Sequence, residues 1–208
     1  MKKIKKTITL AGISLLLCSG AQTVGTGTEN LPDLLPALCK TAYAASPAWL
    51  EDVDSASSDD TIAYGIYIGK PMQSVVDEFL GKGWTRTDED SKVVLTKNKG
   101  RYIQLIVLHH HTSNKDLVGS YRIRFRVKDK TEAEDMYMHA EKNFSYNFGR
   151  PTFTKGSDNR TWVMNESFAI IVEFNEYNTR IAAAKNYPYE VVIKREMGDY
   201  KQFLMPGQ

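Results

Sequence analysis

The run Met72-Gln73-Ser74-Val75-Val76-Asp77-Glu78-Phe79-Leu80-Gly81-Lys82 decides how the chain is divided. Met72, Val75, Val76, Phe79 and Leu80 recur at helical spacing, and Gly81 suits the left-handed residue that closes a helix. Gly69-Lys70-Pro71 opens this helix, because proline is tolerated at a first helical position. About 70 residues on, the pattern returns. Ala133, Met136, Tyr137, Ala140 and Phe144 form a second stripe, begun by the capping box Thr131-Glu132-Ala133-Glu134 and closed by Gly149-Arg150-Pro151.

Strand-like runs follow each helix. After the first, residues 84–87 and 92–97 read as a hairpin across Asp88-Glu89-Asp90, then come residues 102–111 and 120–128. After the second, residues 152–155 and 161–165 flank the Gly156-Ser157-Asp158-Asn159 turn, followed by 168–177 and 189–196. Val94 and Trp162 stand at the same distance from Gly81 and Gly149. The expectation is an α+β fold of two tandem α-β-β-β units, residues 61–129 and 130–196, joined in one antiparallel sheet with the helices packed on one face. Residues 62–68 read as a lead-in strand with Ile62, Tyr64, Ile66 and Ile68 on one side. Residues 45–60, rich in Ser and Asp, read as a flexible linker, and 197–208 as a C-terminal tail.

The first 44 residues read as an export signal of bacterial style. Lys2, Lys3, Lys5 and Lys6 precede an apolar run from Ile8 to Leu17 that is too short to span a bilayer. Cleavage is placed after Ala42-Tyr43-Ala44, with Ser19-Gly20-Ala21 as the alternative. Leu17 before Cys18 argues against a lipid anchor. The segment holds five of the 27 Lys and Arg and two of the 25 Asp and Glu, so the exported chain has 22 basic and 23 acidic residues. A net charge of −1 gives nucleic-acid binding no support. Cys18 and Cys39 leave with the segment, which removes disulfides, thiolate nucleophiles and cysteine metal sites.

No nucleophile elbow, no Ser-x-x-Lys and no His-Glu-x-x-His stands in the chain, and the reading is non-enzymatic with no cofactor. His109 and His111 alternate onto one strand face and are the candidate metal pair, lacking a third ligand. His139 reads as a surface partner of Asp135. Tyr121-Arg122-Ile123-Arg124-Phe125-Arg126-Val127-Lys128 is the stronger clue, with Arg122, Arg124 and Arg126 outward. A hairpin symmetric about Lys115 places Tyr102, Gln104, Ile106 and Leu108 beside those arginines. Arg122, Arg124, Arg126, Tyr102 and Ile106 are therefore the candidate partner-binding residues, for their mix of guanidinium, aromatic and aliphatic groups. Glu190, Val192, Lys194 and Glu196 fall on the equivalent side of the last strand, where they either orient a partner or pair internally. A cleft between the units, walled by Trp84, Trp162 and Tyr177, is the candidate site for a small ligand.

The run Ile66-Tyr67-Ile68-Gly69-Lys70-Pro71, continued through Lys82, resembles the exported domains of the outer-membrane assembly lipoprotein and β-lactamase-inhibitory-protein type. In that superfamily a strand and glycine precede a short helix with a central valine and a terminal Leu-Gly, followed by antiparallel strands. The resemblance implies a noncatalytic, periplasmic or extracellular protein that binds a protein or envelope component through its open sheet face. The second helix lacks the Gly-x-Pro start.

Overall fold

Strand alternation and helical periodicity run through most of residues 46–178 and 185–198, the part that the computed structural model describes. The segment expected to be an export signal, with Cys18 and Cys39, and the tail from residue 199 lie outside the described residues. Three helices, α1 (Leu50–Ser57), α2 (Met72–Gly81) and α3 (Lys130–Phe148), accompany eight strands. The strands are β1 (Thr85–Glu89), β2 (Lys92–Asn98), β3 (Tyr102–His110), β4 (Val118–Val127), β5 (Phe153–Lys155), β6 (Asn159–Asn165), β7 (Phe168–Glu176) and β8 (Tyr189–Met197).

All eight form one antiparallel sheet in the order β1-β2-β3-β4-β8-β7-β6-β5. The α+β class with an antiparallel sheet is as expected, but each longer helix is followed by four strands rather than three. The two sets of four meet at β4 and β8. Both edges of the sheet are short, with β5 only three residues long and all five residues of β1 exposed.

One face is covered. Met72, Val75, Val76 and Phe79 of α2 and Ala133, Met136, Tyr137, Ala140 and Phe144 of α3 are buried in one cluster with Ile106, Leu108, Tyr121, Ile123, Phe125, Val172 and Ile193. Helix α3 lies over β4, β8 and β7, and α1 packs on α3. Leu80, expected in the α2 stripe, is 42% exposed. The α3 cap is also displaced from the expected box: the helix starts at Lys130, and the Asp129 side chain accepts from the Glu132 amide at 2.9 Å.

The β3–β4 register differs from the symmetric hairpin by one residue. Tyr102 faces Val127 and His109 faces Ser120, and a bulge follows at Gly119. A one-residue change flips every side chain to the other face. Tyr102, Gln104, Ile106 and Leu108 therefore lie beneath the helices, while Ile103, Leu105 and Val107 stand beside the arginines. A Cβ on Gly119 would sit 2.5 Å from the His111 Cα, so only glycine fits the bulge. The same one-residue difference separates Val94, which pairs with Val107 on the open face, from Trp162, which pairs with Ile170 on the covered one.

Residues 45–60 are not a flexible linker, because Trp49, Val53 and Ala56 bury one side of α1 in the core. Residues 62–68 are not a regular strand either. They contain one isolated bridge, Ala63 to Ile66, closed by Tyr64 and Gly65 at φ 54° and 75°. Positive φ at both central residues is the geometry of a tight hairpin turn. Tyr64 is held there by its hydroxyl, which donates to the Asp52 carbonyl and accepts from Gln104 Nε2 at 2.7 Å.

Arg195 of β8 joins this N-terminal segment to the sheet. Its guanidinium is fully buried and, among the described residues, is bonded to no carboxylate. Nε donates to the Asp60 carbonyl at 2.8 Å, and Nη2 donates to the carbonyls of Asp59 and of Ala56, the latter at 3.1 Å. These carbonyls belong to the C-terminal end of α1 and the turn after it, where the helix dipole is negative. The rings of Tyr121 and Phe144 lie 5.5 and 5.7 Å from the guanidinium carbon. Burial pulls the Arg195 pKa below its ordinary value. Arg195→Met strands three buried acceptors and is expected to lower the unfolding free energy by about 3–5 kcal/mol in urea titration. A loss under about 1 kcal/mol contradicts this account.

Candidate functional site

The candidate site is the helix-free sheet face, whose side chains follow from alternation. Crossing from β2 to β7, one row runs Val94, Val107, Arg122, Lys194 and Ile171. The next row runs Thr96, Leu105, Arg124, Val192 and Glu173, followed by Ile103, Arg126, Glu190 and Asn175. Leu105, Val107 and Val192 are nearly covered, at 8%, 4% and 3% exposure, although no described helix packs on them.

Each arginine meets a carboxylate of β8. Arg124 Nη2 lies 2.8 Å from Glu190 Oε1, Arg126 Nε lies 3.1 Å from the same oxygen, and the Tyr177 hydroxyl donates to Glu190 Oε2 at 2.6 Å. Glu190 is fully buried on a face on which no described helix packs. A lone carboxylate there would cost several kcal/mol, so two cations and a hydroxyl are its solvent. Burial works against the charge on Arg124, and the Glu190 contact outweighs it, raising its pKa. Arg122 Nη2 approaches Glu196 Oε1 to 2.8 Å without hydrogen-bond alignment, and its Nε is buried without a partner. Lys194 is paired with Glu173 at 2.6 Å.

The structure thus brings Arg122, Arg124 and Arg126 together on the open face, already engaged by the last strand. Tyr102 and Ile106 are not with them. They are 1% and 0% exposed under the helices, where Tyr102 donates its hydroxyl to Asp52. Ile103, Leu105 and Val107 take their places.

The histidines diverge. His109 lies on the open face beside Lys92 and Ser120, with Nε2 buried and unpartnered. After the bulge, His111 has left the strand and its Nδ1 accepts from the Ser113 amide at 3.1 Å. His110 Nδ1 contacts the Lys115 carbonyl at 2.6 Å. Strand β3 ends at His110, so His111 lies beyond the alternation that the spacing assumes, and its ring nitrogen is engaged in the turn. Among the described residues no three His, Cys, Asp or Glu side chains converge as metal ligands. His139 pairs with Asp54 of α1 at 2.6 Å, not with Asp135.

The aromatic walls of the inter-unit cleft also separate. Trp84 stacks edge-on to Phe79 and Trp162 packs on Phe144, both under the helices, whereas Tyr177 belongs to the open face. No family model, curated protein or solved structure matches this chain.

Glu190→Ala leaves two guanidinium groups facing each other and is expected to cost about 3–5 kcal/mol in chemical unfolding, with Glu190→Gln intermediate. A second expectation concerns acid. Burial, then the charges of Arg122 and Lys92, lower the His109 pKa below 6.5. The unfolded chain therefore takes that proton first. The stabilisation is complete above pH 6.5 and is lost as pH falls below it. Between pH 6.5 and about 5, stability of His109→Asn should fall less steeply than that of the parent; parallel curves would exclude His109 as the source.

Proposed function

We propose that this is an exported, noncatalytic interaction protein built as a tandem of two α-plus-four-strand units. In this reading it binds a protein or cell-envelope component through the helix-free sheet face. The tandem reading is supported by the strand order, which runs outward from β4 and β8 in the same sequence on both sides. Export is supported by the order of charged and apolar residues before Leu17 and by the Ala42-Tyr43-Ala44 site just ahead of the folded part.

The observation that carries the binding role is the open face itself. Across β3, β4 and β8, half-buried arginines held in place by Glu190 and Glu196 stand beside the half-buried Ile103, with Leu105, Val107 and Val192 nearly covered between them. Side chains already ordered by intramolecular pairs lose little entropy when a partner docks. The mix of guanidinium and aliphatic groups matches the centres of protein interfaces.

Reversing all three arginines would place new carboxylates against Glu190 and unfold the sheet, so the test must keep the ladder intact. The double variant Arg122→Glu with Glu196→Arg preserves the ion pair and inverts its field. It is expected to retain its thermal unfolding while its affinity for partners captured from envelope extract falls about tenfold or more. Undiminished capture of the same partners would remove this face as the binding site. N-terminal sequencing of the secreted protein should begin at Ala45.

A further inference from the structure

We infer a second binding site, for a small uncharged apolar molecule, where the segment before α2 meets the β6–β7 turn. Its volume is about 510 Å³, within the usual range of small-ligand pockets. Ile62, Tyr67, Ile68, Phe168 and Met197 form its walls, and Thr61, Asn165 and Ser167 form a neutral polar rim. Ile62, Tyr67 and Met197 are 43%, 44% and 50% exposed, three of the seven large apolar side chains exposed among the described residues. Apolar exposure concentrated in one concavity marks a binding surface rather than scattered surface residues.

The walls are fixed before any ligand arrives. Arg195 holds the Asp60 carbonyl at 2.8 Å and the Tyr121 hydroxyl donates to the Thr61 carbonyl at 2.9 Å. Asp59 Oδ1 accepts from the Ile62 amide at 2.9 Å, and the Gly69 amide donates to Val118 at 2.7 Å. Opposite, Asn165 Oδ1 accepts from the Ser167 amide at 2.9 Å, and the Gly198 amide donates to the Ser167 carbonyl at 3.0 Å. A preformed cleft spares a ligand the cost of ordering it.

Charge selects the ligand class. No Asp, Glu, Lys, Arg or His lines it, whereas the cleft beside the start of α2 carries Arg86, Asp88, Glu89 and Lys92. The cleft beside α3 carries Lys130, Glu134, Asp158 and Glu176. A charged ligand in the apolar cleft would lose water and meet no counter-ion, so a neutral aromatic or aliphatic molecule of up to three rings fits it.

The test is fluorescence titration of the full chain with N-phenyl-1-naphthylamine, which is uncharged, and with the sulfonated analogue 1-anilinonaphthalene-8-sulfonate. One saturable site for the neutral probe is expected, with the sulfonate about tenfold weaker. Tyr67→Ser and Met197→Ser, both at exposed positions, should each weaken the neutral probe about fivefold or more with unchanged thermal unfolding. Tyr146→Ser, on the solvent side of α3, should bind as the parent does. The inference fails if the neutral probe does not saturate, if the sulfonate binds equally well, or if the cleft variants bind like the parent. It also fails if light scattering shows a dimer that Tyr67→Ser and Met197→Ser dissociate, since a second copy would then fill the cleft.

Discussion

The rest of the structure depends on a buried cation that, among the described residues, is bonded to peptide carbonyls and to no carboxylate. Arg195 stands where the alternation Val191, Ile193, Arg195 directs it into the core, and it is solvated there by peptide carbonyls and two aromatic rings. Such a group is tolerated only with a nearly complete set of acceptors. Those acceptors come from the end of α1 and the turn that follows, so β8 cannot pack without the segment that precedes α2. Nη1 remains without a partner, and the cation is correspondingly less favourable than in water. The arrangement gives the N-terminal segment a single position over the sheet.

Strands β4 and β8 form a seam that is locked on both faces. Beneath the helices Arg195 lies against Tyr121, while on the open face Arg124 and Arg126 close on Glu190. A slip of one residue would carry Arg195 outward and bury Glu190 among Phe125 and Ile123, two errors of several kcal/mol each. Charged residues on opposite faces thus specify a pairing that aliphatic residues alone would leave loosely defined.

The sheet, both longer helices and the outward row of arginines were legible because alternation and helical period act locally. The β3–β4 register was not, because one glycine bulge shifts the whole hairpin and nothing in the composition of Thr112–Leu117 announces it. That shift moved Tyr102 and Ile106 from the open face to the core. Helix α1 was hidden by its polar composition, since Leu50, Val53 and Ala56 are its apolar residues against the core and Ser57 is buried through its bond to the Val53 carbonyl at 2.7 Å. The clue to its docking lay far away, in the arginine at an inward position of β8. The apolar cleft draws on residues from opposite ends of the folded part, and only the assembled sheet brings them together.

The mirrored strand order also sets a sequence of events as the chain folds. Strand β4 pairs on one side with β3, its neighbour in sequence, but its other side waits for β8, with Arg124 and Glu190 66 residues apart. Until the last strand arrives, the first four strands present a ten-residue edge to any other unfinished chain. Three unpaired arginines on that edge would repel an identical strand during the interval, acting as gatekeepers against aggregation. Glu190 and Glu196 pair with all three and offset most of their charge when β8 docks, so the repulsion weakens with the step that completes the sheet.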